Sequence, residues 1–311
     1  MAVELAKQGS IIYAQGYGYA DLSDCLPTQS DTPFQLASIT KTFTAAAILQ
    51  QQSTGVLDID TPVLTYLPAY PFDPRITVRM LLNQISGLAD YLNDYALFPQ
   101  TATWVVQGVT EQTVLTAIAQ APLQFTPGSE YQYSDSNYFV LACILEAVTS
   151  ETYSDYLSMK ILGPLGLTHT STTQPLAAAL PYDVSAIAYP VEAQILAPSS
   201  RFGVWSDVQG LASFDAALFA GQVLPDAQFM EMVTPPSTPT SPYAMGWFRG
   251  TLLNRPLAWH TGGLPGVAAF NGLFLDDGFS VTILMNAVPS NAITDFAQQV
   301  VQAICASPTA C

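Results

Sequence analysis

The chain has 311 residues, half of them hydrophobic, with only 10% charged and a formal net charge of −16. That length holds one large domain or two closely joined ones around a substantial core. No apolar run reaches the ~18 residues of a membrane span, and the acidic balance excludes nucleic acid and anionic membrane as partners. Ordinary domains carry roughly 25% charged residues, so this surface relies on Ser, Thr, Gln and Asn. Low charge with an excess of acid suits an acidic medium, where carboxylates are neutralised. Export is expected, with its signal lying outside this sequence.

Val3 to Ala14 reads as two short strands about a Gln8-Gly9 turn. Gly16, Gly18 and the stretch from Asp21 to Pro33 punctuate the approach to a helix that is small or apolar on nearly every face and stops at Gly55. A proline-rich connection leads to a helix at Ile76–Leu82, broken at Ser86-Gly87. Helical periodicity then dominates to about residue 165, over Thr113–Gln120, Asn137–Val148 and Thr152–Leu162. Residues 170–200 read as loop, and Val208–Gly221 as helix. After Pro242 come four expected strands, Tyr243–Leu253, Leu257–Thr261, Ala268–Leu275 and Phe279–Asn286, followed by a closing helix at Ile293–Ile304. Strands at both ends with helices between predict an α+β fold, its antiparallel sheet assembled from both termini. The expected division is a discontinuous sheet domain of 1–40 with 200–311, and a mainly helical region of 41–199. Of four cysteines, Cys143 lies in an apolar helical run and reads as a buried free thiol. One pair among Cys25, Cys305 and Cys311 can be bridged, in a pairing the spacing leaves open.

Near the start of the first helix Ser38 and Lys41 stand three residues apart, on one helical face. A cap with a snorkelling lysine is the plain alternative. Yet the chain has only three lysines, Lys7, Lys41 and Lys160, and Lys41 alone has a serine three residues before it. A lysine in an uncharged segment needs a partner or a task, and activating Ser38 as a nucleophile is the simplest. No Gly-x-Ser-x-Gly, no phosphate-binding Gly-x-x-x-x-Gly-Lys loop and no zinc-like spacing of His169 and His260 offers a rival chemistry.

A serine–lysine pair needs a further polar group to relay the proton. Three candidates have the form Tyr-x-Asn or Tyr-x-Asp: Tyr91-Leu92-Asn93, Tyr133-Ser134-Asp135 and Tyr153-Ser154-Asp155. Tyr153 sits within a helical run and reads as a core aromatic. Tyr133 follows the Pro127-Gly128 turn at a loop-to-helix entry, which suits a phenol in a cleft. In His260-Thr261-Gly262-Gly263 a strand reaches glycines, so the Gly263 N–H can hold an oxyanion together with that of Ser38. His169 reads as structural.

These pieces together resemble the serine β-lactamase and DD-peptidase superfamily, in its class C-like branch. The resemblance runs through Ser38-Ile39-Thr40-Lys41, Ile76 to Leu82, Ser86-Gly87-Leu88, Tyr133-Ser134-Asp135, Pro164-Leu165-Gly166-Leu167 and His260-Thr261-Gly262-Gly263. It implies an α/β/α sandwich with a helical insert, and an acyl-enzyme on Ser38. Lys41 and Tyr133 would share the base role, and His260 would stand beside the tyrosine where many relatives have lysine. Asp135, Thr261 and Gly262 would line the substrate. Neither cofactor nor metal is implied. The expected activity is hydrolysis of short acyl or aryl esters; D-amino-acid peptides and β-lactams are the alternatives, and a non-catalytic penicillin sensor is an alternative of another class. Asp135 departs from the usual asparagine: ionised, it weakens Lys41 as a base; protonated, it donates as asparagine does. The histidine common before Ser-Gly is absent, as is the Glu-x-x-Leu-Asn of class A β-lactamases.

Overall fold

In the computed structural model, which describes residues 1–183, 189–190, 203–287 and 293–305, the two ends of the chain meet in one antiparallel sheet. Its six strands are β1 (Ala2–Lys7), β2 (Ser10–Gly16), β3 (Phe248–Leu252), β4 (Arg255–Leu264), β5 (Val267–Phe274) and β6 (Phe279–Met285). Their order is β2-β1-β6-β5-β4-β3, so the N-terminal hairpin is completed by β6 from the far end of the sequence. The fold is α+β and matches the architecture the resemblance implies.

Alternation along each strand sends side chains to two separate cores. Val3, Leu5, Phe270, Val281 and Ile283 pack against Ile293, Ala297 and Val301 of the closing helix. Ala2, Ala258, Ala269, Leu273 and Leu284 face a larger core containing α1 (Thr40–Ser53). That core also takes α2 (Glu111–Gln120), α3 (Asp135–Thr149) and α4 (Val208–Phe219). The closing helix is α5 (Ile293–Cys305). Phe43 of α1 stacks on Phe214 of α4 with ring centroids 4.0 Å apart, tying the helix of Lys41 to the helix that covers the sheet. Helix α1 is buried along most of its length, as its composition without a polar face predicts.

Three boundaries differ from expectation. β4 continues through Gly262-Gly263 to Leu264, beyond the end expected at Thr261, because Gly262 serves close approach to Leu36 and not a turn. The segment from Tyr243 to Trp247 is not regular strand: it passes under α1, and a Cβ on Gly246 would come within 3.0 Å of the Lys41 carbonyl oxygen. The helix expected over Thr152–Leu162 is an α-turn at Tyr153–Leu157 that widens to π geometry over Ser158–Leu162. Much of the loop expected between 170 and 200 lies outside the described residues, as do Cys311 and the side chain of Cys305. Cys143 is a buried free thiol, and Cys25 is free and exposed. Among the described residues no helix is long and apolar enough to cross a membrane.

Candidate active site

Ser38 sits in a tight helical turn, Ala37–Ile39, that runs straight into α1. The first amides of such a segment have no intrahelical acceptor, so the Ser38 N–H is available to a ligand. Ala37 holds a left-handed φ of 47°, a strained conformation for a residue with a Cβ. The turn is wedged against β4, where a Cβ on Gly262 would lie 2.1 Å from the Leu36 carbonyl oxygen. Only glycine lets the strand come so near.

Among the described residues no strand pairs with the outer edge of β4 past Trp259. Leu264 and Val267 flank a two-residue hairpin, so they exchange hydrogen bonds and the Gly263–Ala268 pair does not. The Gly263 N–H therefore points to the open edge of the sheet. Gly262, the neighbour of Gly263, abuts Leu36 and Ala37, the residues before Ser38, so the two amides belong to segments in direct contact.

Lys41 lies one helical turn beyond Ser38 and is 1% exposed. Its Nζ donates to Ser38 Oγ at 3.1 Å and to Asp135 Oδ1 at 2.6 Å. The second bond is a buried ion pair between α1 and the first turn of α3, where a carboxylate also meets the positive end of the helix dipole. Asp135 thus acts as an acceptor toward the lysine. Asn93 Nδ2 donates to Asp90 Oδ2 at 2.8 Å and, more distantly, to Asp135 Oδ2 at 3.4 Å. Burial, with the negative charge of Asp135 second, lifts the Asp90 carboxyl to about 6.

Tyr133 is half-buried, with its ring centroid 5.0 Å from Lys41 Nζ. Burial foremost, then the charge of Asp135, pushes its phenol well above the usual tyrosine range; a hydrogen bond with Ser38 works in the opposite direction. At neutral pH it is a neutral hydroxyl within reach of the serine. Tyr243 packs edge-on against it, with centroids 5.9 Å apart, and Phe248 stacks on it at 6.3 Å.

His260 is 1% exposed, and its ring centroid is 6.1 Å from that of Tyr133. Its Nδ1 lies 2.6 Å from the Thr261 carbonyl oxygen, so Nδ1 carries the proton and Nε2 accepts from the Tyr243 hydroxyl at 3.0 Å. Burial, followed by the Lys41 charge, pushes this imidazole down to about 3. It is neutral throughout the physiological range. Gly262 is buried at the Ser38 turn, while Thr261 is half-buried and Gly263 exposed on the open edge.

The sequence reading did not single out Tyr243 or Gln84. Tyr243 lies 17 positions before its partner in what read as ordinary strand. Gln84 Oε1 accepts from Ser134 N at 2.9 Å and from Asn137 Nδ2 at 2.5 Å, fixing the entry to α3. Asn93 was visible as part of a Tyr-x-Asn candidate, and the fold brings it to Asp135 of the Tyr133-Ser134-Asp135 candidate. Tyr153 is a core aromatic, bonded through its hydroxyl to Thr44 Oγ1 at 2.7 Å. His169 is exposed and pairs with Asp207, the N-cap of α4, at 2.6 Å. No cluster of three or more metal-ligating side chains occurs among the described residues. A cavity of about 500 Å³ opens beside Tyr133, lined also by Asp90, Asn93, Asp94, Tyr95 and Gln132.

The Beta-lactamase family model matches residues 1–304. Penicillin-binding protein 4* of Bacillus subtilis is 27% identical over 311 residues, covering 90% of this chain and 66% of its own length. Among solved structures, a penicillin binding protein from Bacillus halodurans superposes with a TM-score of 0.85 at 22% identity, over 97% of this chain and 95% of its own. A D-stereospecific amidohydrolase from Streptomyces sp. gives a TM-score of 0.80 at 26% identity, over 98% and 94%. With a family match across nearly its whole length, the chain belongs to the beta-lactamase family of serine hydrolases.

Proposed function

We propose that the chain cleaves amide bonds on the carbonyl side of D-amino-acid residues through an acyl-enzyme on Ser38. The observation that carries the acyl-transfer step is Lys41 Nζ, held at 3.1 Å from Ser38 Oγ and anchored from behind by Asp135. Once the ammonium loses a proton, the amine takes the hydroxyl proton as Ser38 Oγ bonds to the carbonyl carbon. The oxyanion rests on the N–H groups of Ser38 and Gly263. As the C–N bond breaks, Tyr133 gives its phenol proton to the leaving amine and regains one from the Lys41 ammonium. Its raised pKa supports a relay role and leaves the base role to Lys41. Water then attacks the ester, its proton passes to Lys41, and the released Ser38 oxygen is reprotonated.

The substrate class is supported by the cavity beside Tyr133, whose Asp90 and Asp94 suit a free ammonium on the acyl residue, and by the likeness to a D-stereospecific amidohydrolase. Short aryl esters are the more reactive substrates of the same chemistry. The test compares D- and L-phenylalanine amide with nitrophenyl acetate and follows the acyl adduct by mass spectrometry. Turnover of the D-amide in preference to the L-amide is expected, with Ser38→Ala losing at least ~10³-fold in rate and all adduct. Ester turnover without any amide turnover returns the chain to the esterase reading. An unlabelled Ser38, or full activity in Ser38→Ala, overturns the mechanism.

A further inference from the structure

Asp90 does more than the loop requires of it. Its Oδ1 closes a short turn by accepting from Leu92 N at 3.0 Å, a task an asparagine oxygen performs equally well. Its other oxygen is tied by Asn93 at 2.8 Å, and that same amide nitrogen reaches Asp135. An unbroken line of polar contacts therefore runs Ser38–Lys41–Asp135–Asn93–Asp90. Two carboxyls share one ammonium and one bridging amide in a half-buried pocket. Such an arrangement is neutral with one carboxyl protonated and carries a net charge of minus one when both are ionised.

We propose that Asp90 is a positioning residue for the reaction, acting as a second counter-charge to Lys41 through Asn93 and Asp135. The inference rests on the reading of Ser38 and Lys41 as nucleophile and base. The groups that face Asp90 are Asp135 from α3, Lys41 from α1, Tyr133 from the segment entering α3, and Asp94 in its own loop. Asp135 makes ionisation of Asp90 harder and Lys41 makes it easier, which leaves the carboxyl changing state near pH 6. The Lys41 interaction is reciprocal: each ionised Asp90 holds the lysine's proton more firmly, so fewer molecules present a free amine to Ser38. Protonated Asp90 releases that restraint. Ionised Asp90 thus holds activity back on the acid limb, and a neutral side chain in its place extends that limb toward lower pH.

The test uses nitrophenyl acetate, which has no amine, so that contact between Asp90 and a substrate cation does not enter. The rate kcat/KM is followed from pH 4 to 9 for the wild type, Asp90→Asn and Ser38→Ala. Asp90→Asn is expected to move the acid limb down by about half a pH unit, with KM for the ester unchanged. Superimposed limbs overturn the inference, as does an effect confined to KM of amine-bearing substrates, which makes Asp90 a substrate contact instead. Carbon-13 titration of the aspartate carboxyls supplies a second reading, independent of how well Asp90→Asn folds. One carboxyl in the wild type should titrate near pH 6 and move to lower pH in Asp135→Asn; its absence, or indifference to Asp135, also overturns the inference. Wild-type rates in Ser38→Ala sink the catalytic reading and this inference with it, whereas superimposed limbs beside an inactive Ser38→Ala overturn the inference alone.

Discussion

The seam between α1 and α3 and the underside of the sheet both bury acid groups, and the fold accommodates them by different means. In the seam, Asp135 meets Lys41 at 2.6 Å, an acid paired with a base. Under the sheet, a row of polar side chains crosses four strands in register, His260 to Asn271 to Thr282 to Glu4, with Asp215 of α4 lying against it. There is no ammonium in that row. Asp215 is fully buried, its Oδ1 accepting from Asn271 Nδ2 at 3.0 Å, and burial lifts its carboxyl to about 8. Glu4, equally buried, is pushed well above the carboxylate range by burial and then by Asp215. One region solves the desolvation of acids with a lysine, the other with protons. The first solution leaves a reactive amine beside a hydroxyl; the second leaves neutral groups that serve packing.

Breaking the ion pair should have the largest effect. Lys41→Met removes the base and strands Asp135 in the seam, with an expected loss of at least ~10³-fold in kcat/KM and about 3 kcal/mol in stability. Urea midpoints at neutral pH measure the second quantity, and an unchanged midpoint would show that the pair contributes no net stability.

Asp215→Asn should do the reverse and gain stability. The unfolded chain ionises this carboxyl near pH 4, whereas the folded one holds its proton to about 8. Wild-type stability attributable to the group is therefore fully present below pH 4 and lost as pH rises to about 8, at about 1.4 kcal/mol per unit. Asparagine keeps the acceptor for Asn271 and does not titrate. The variant should match the wild type at pH 4 and exceed it by roughly 4 kcal/mol at pH 7. A difference that does not vary with pH would reject the protonated-acid account of the sheet.

Tyr243→Phe probes the junction of the two regions, where the polar row ends at His260 beside Tyr133. It leaves His260 Nε2 buried without its donor, a loss of about 1–3 kcal/mol. Because the phenyl ring still packs on Tyr133, kcat/KM should fall by no more than about tenfold. A far larger loss of rate, at full stability, would give the Tyr243 hydroxyl a direct part in the chemistry. In the same preparations the imidazole of His260 should show no titration between pH 5 and 8 by proton NMR.

The sequence by itself determined the local half of this protein. Ser38 and Lys41 meet because positions three apart on a helix share a face. The strands near both termini and the apolar α1 and α3 are legible from period and composition, since backbone geometry repeats over a few residues. The strand through Gly262-Gly263 was cut short for the same reason: glycine reads locally as a turn, and only the carbonyl of Leu36, more than 200 positions away, shows why no side chain fits there. The tertiary structure alone decided which partner each buried polar group received. Asp135 found Lys41 across 94 positions, Asn93 joined Asp135 across 42, and His260 took Tyr243 as its donor. No periodicity encodes such pairs. They arise because a polar group removed from water must bond to whatever the packing of distant segments brings within reach.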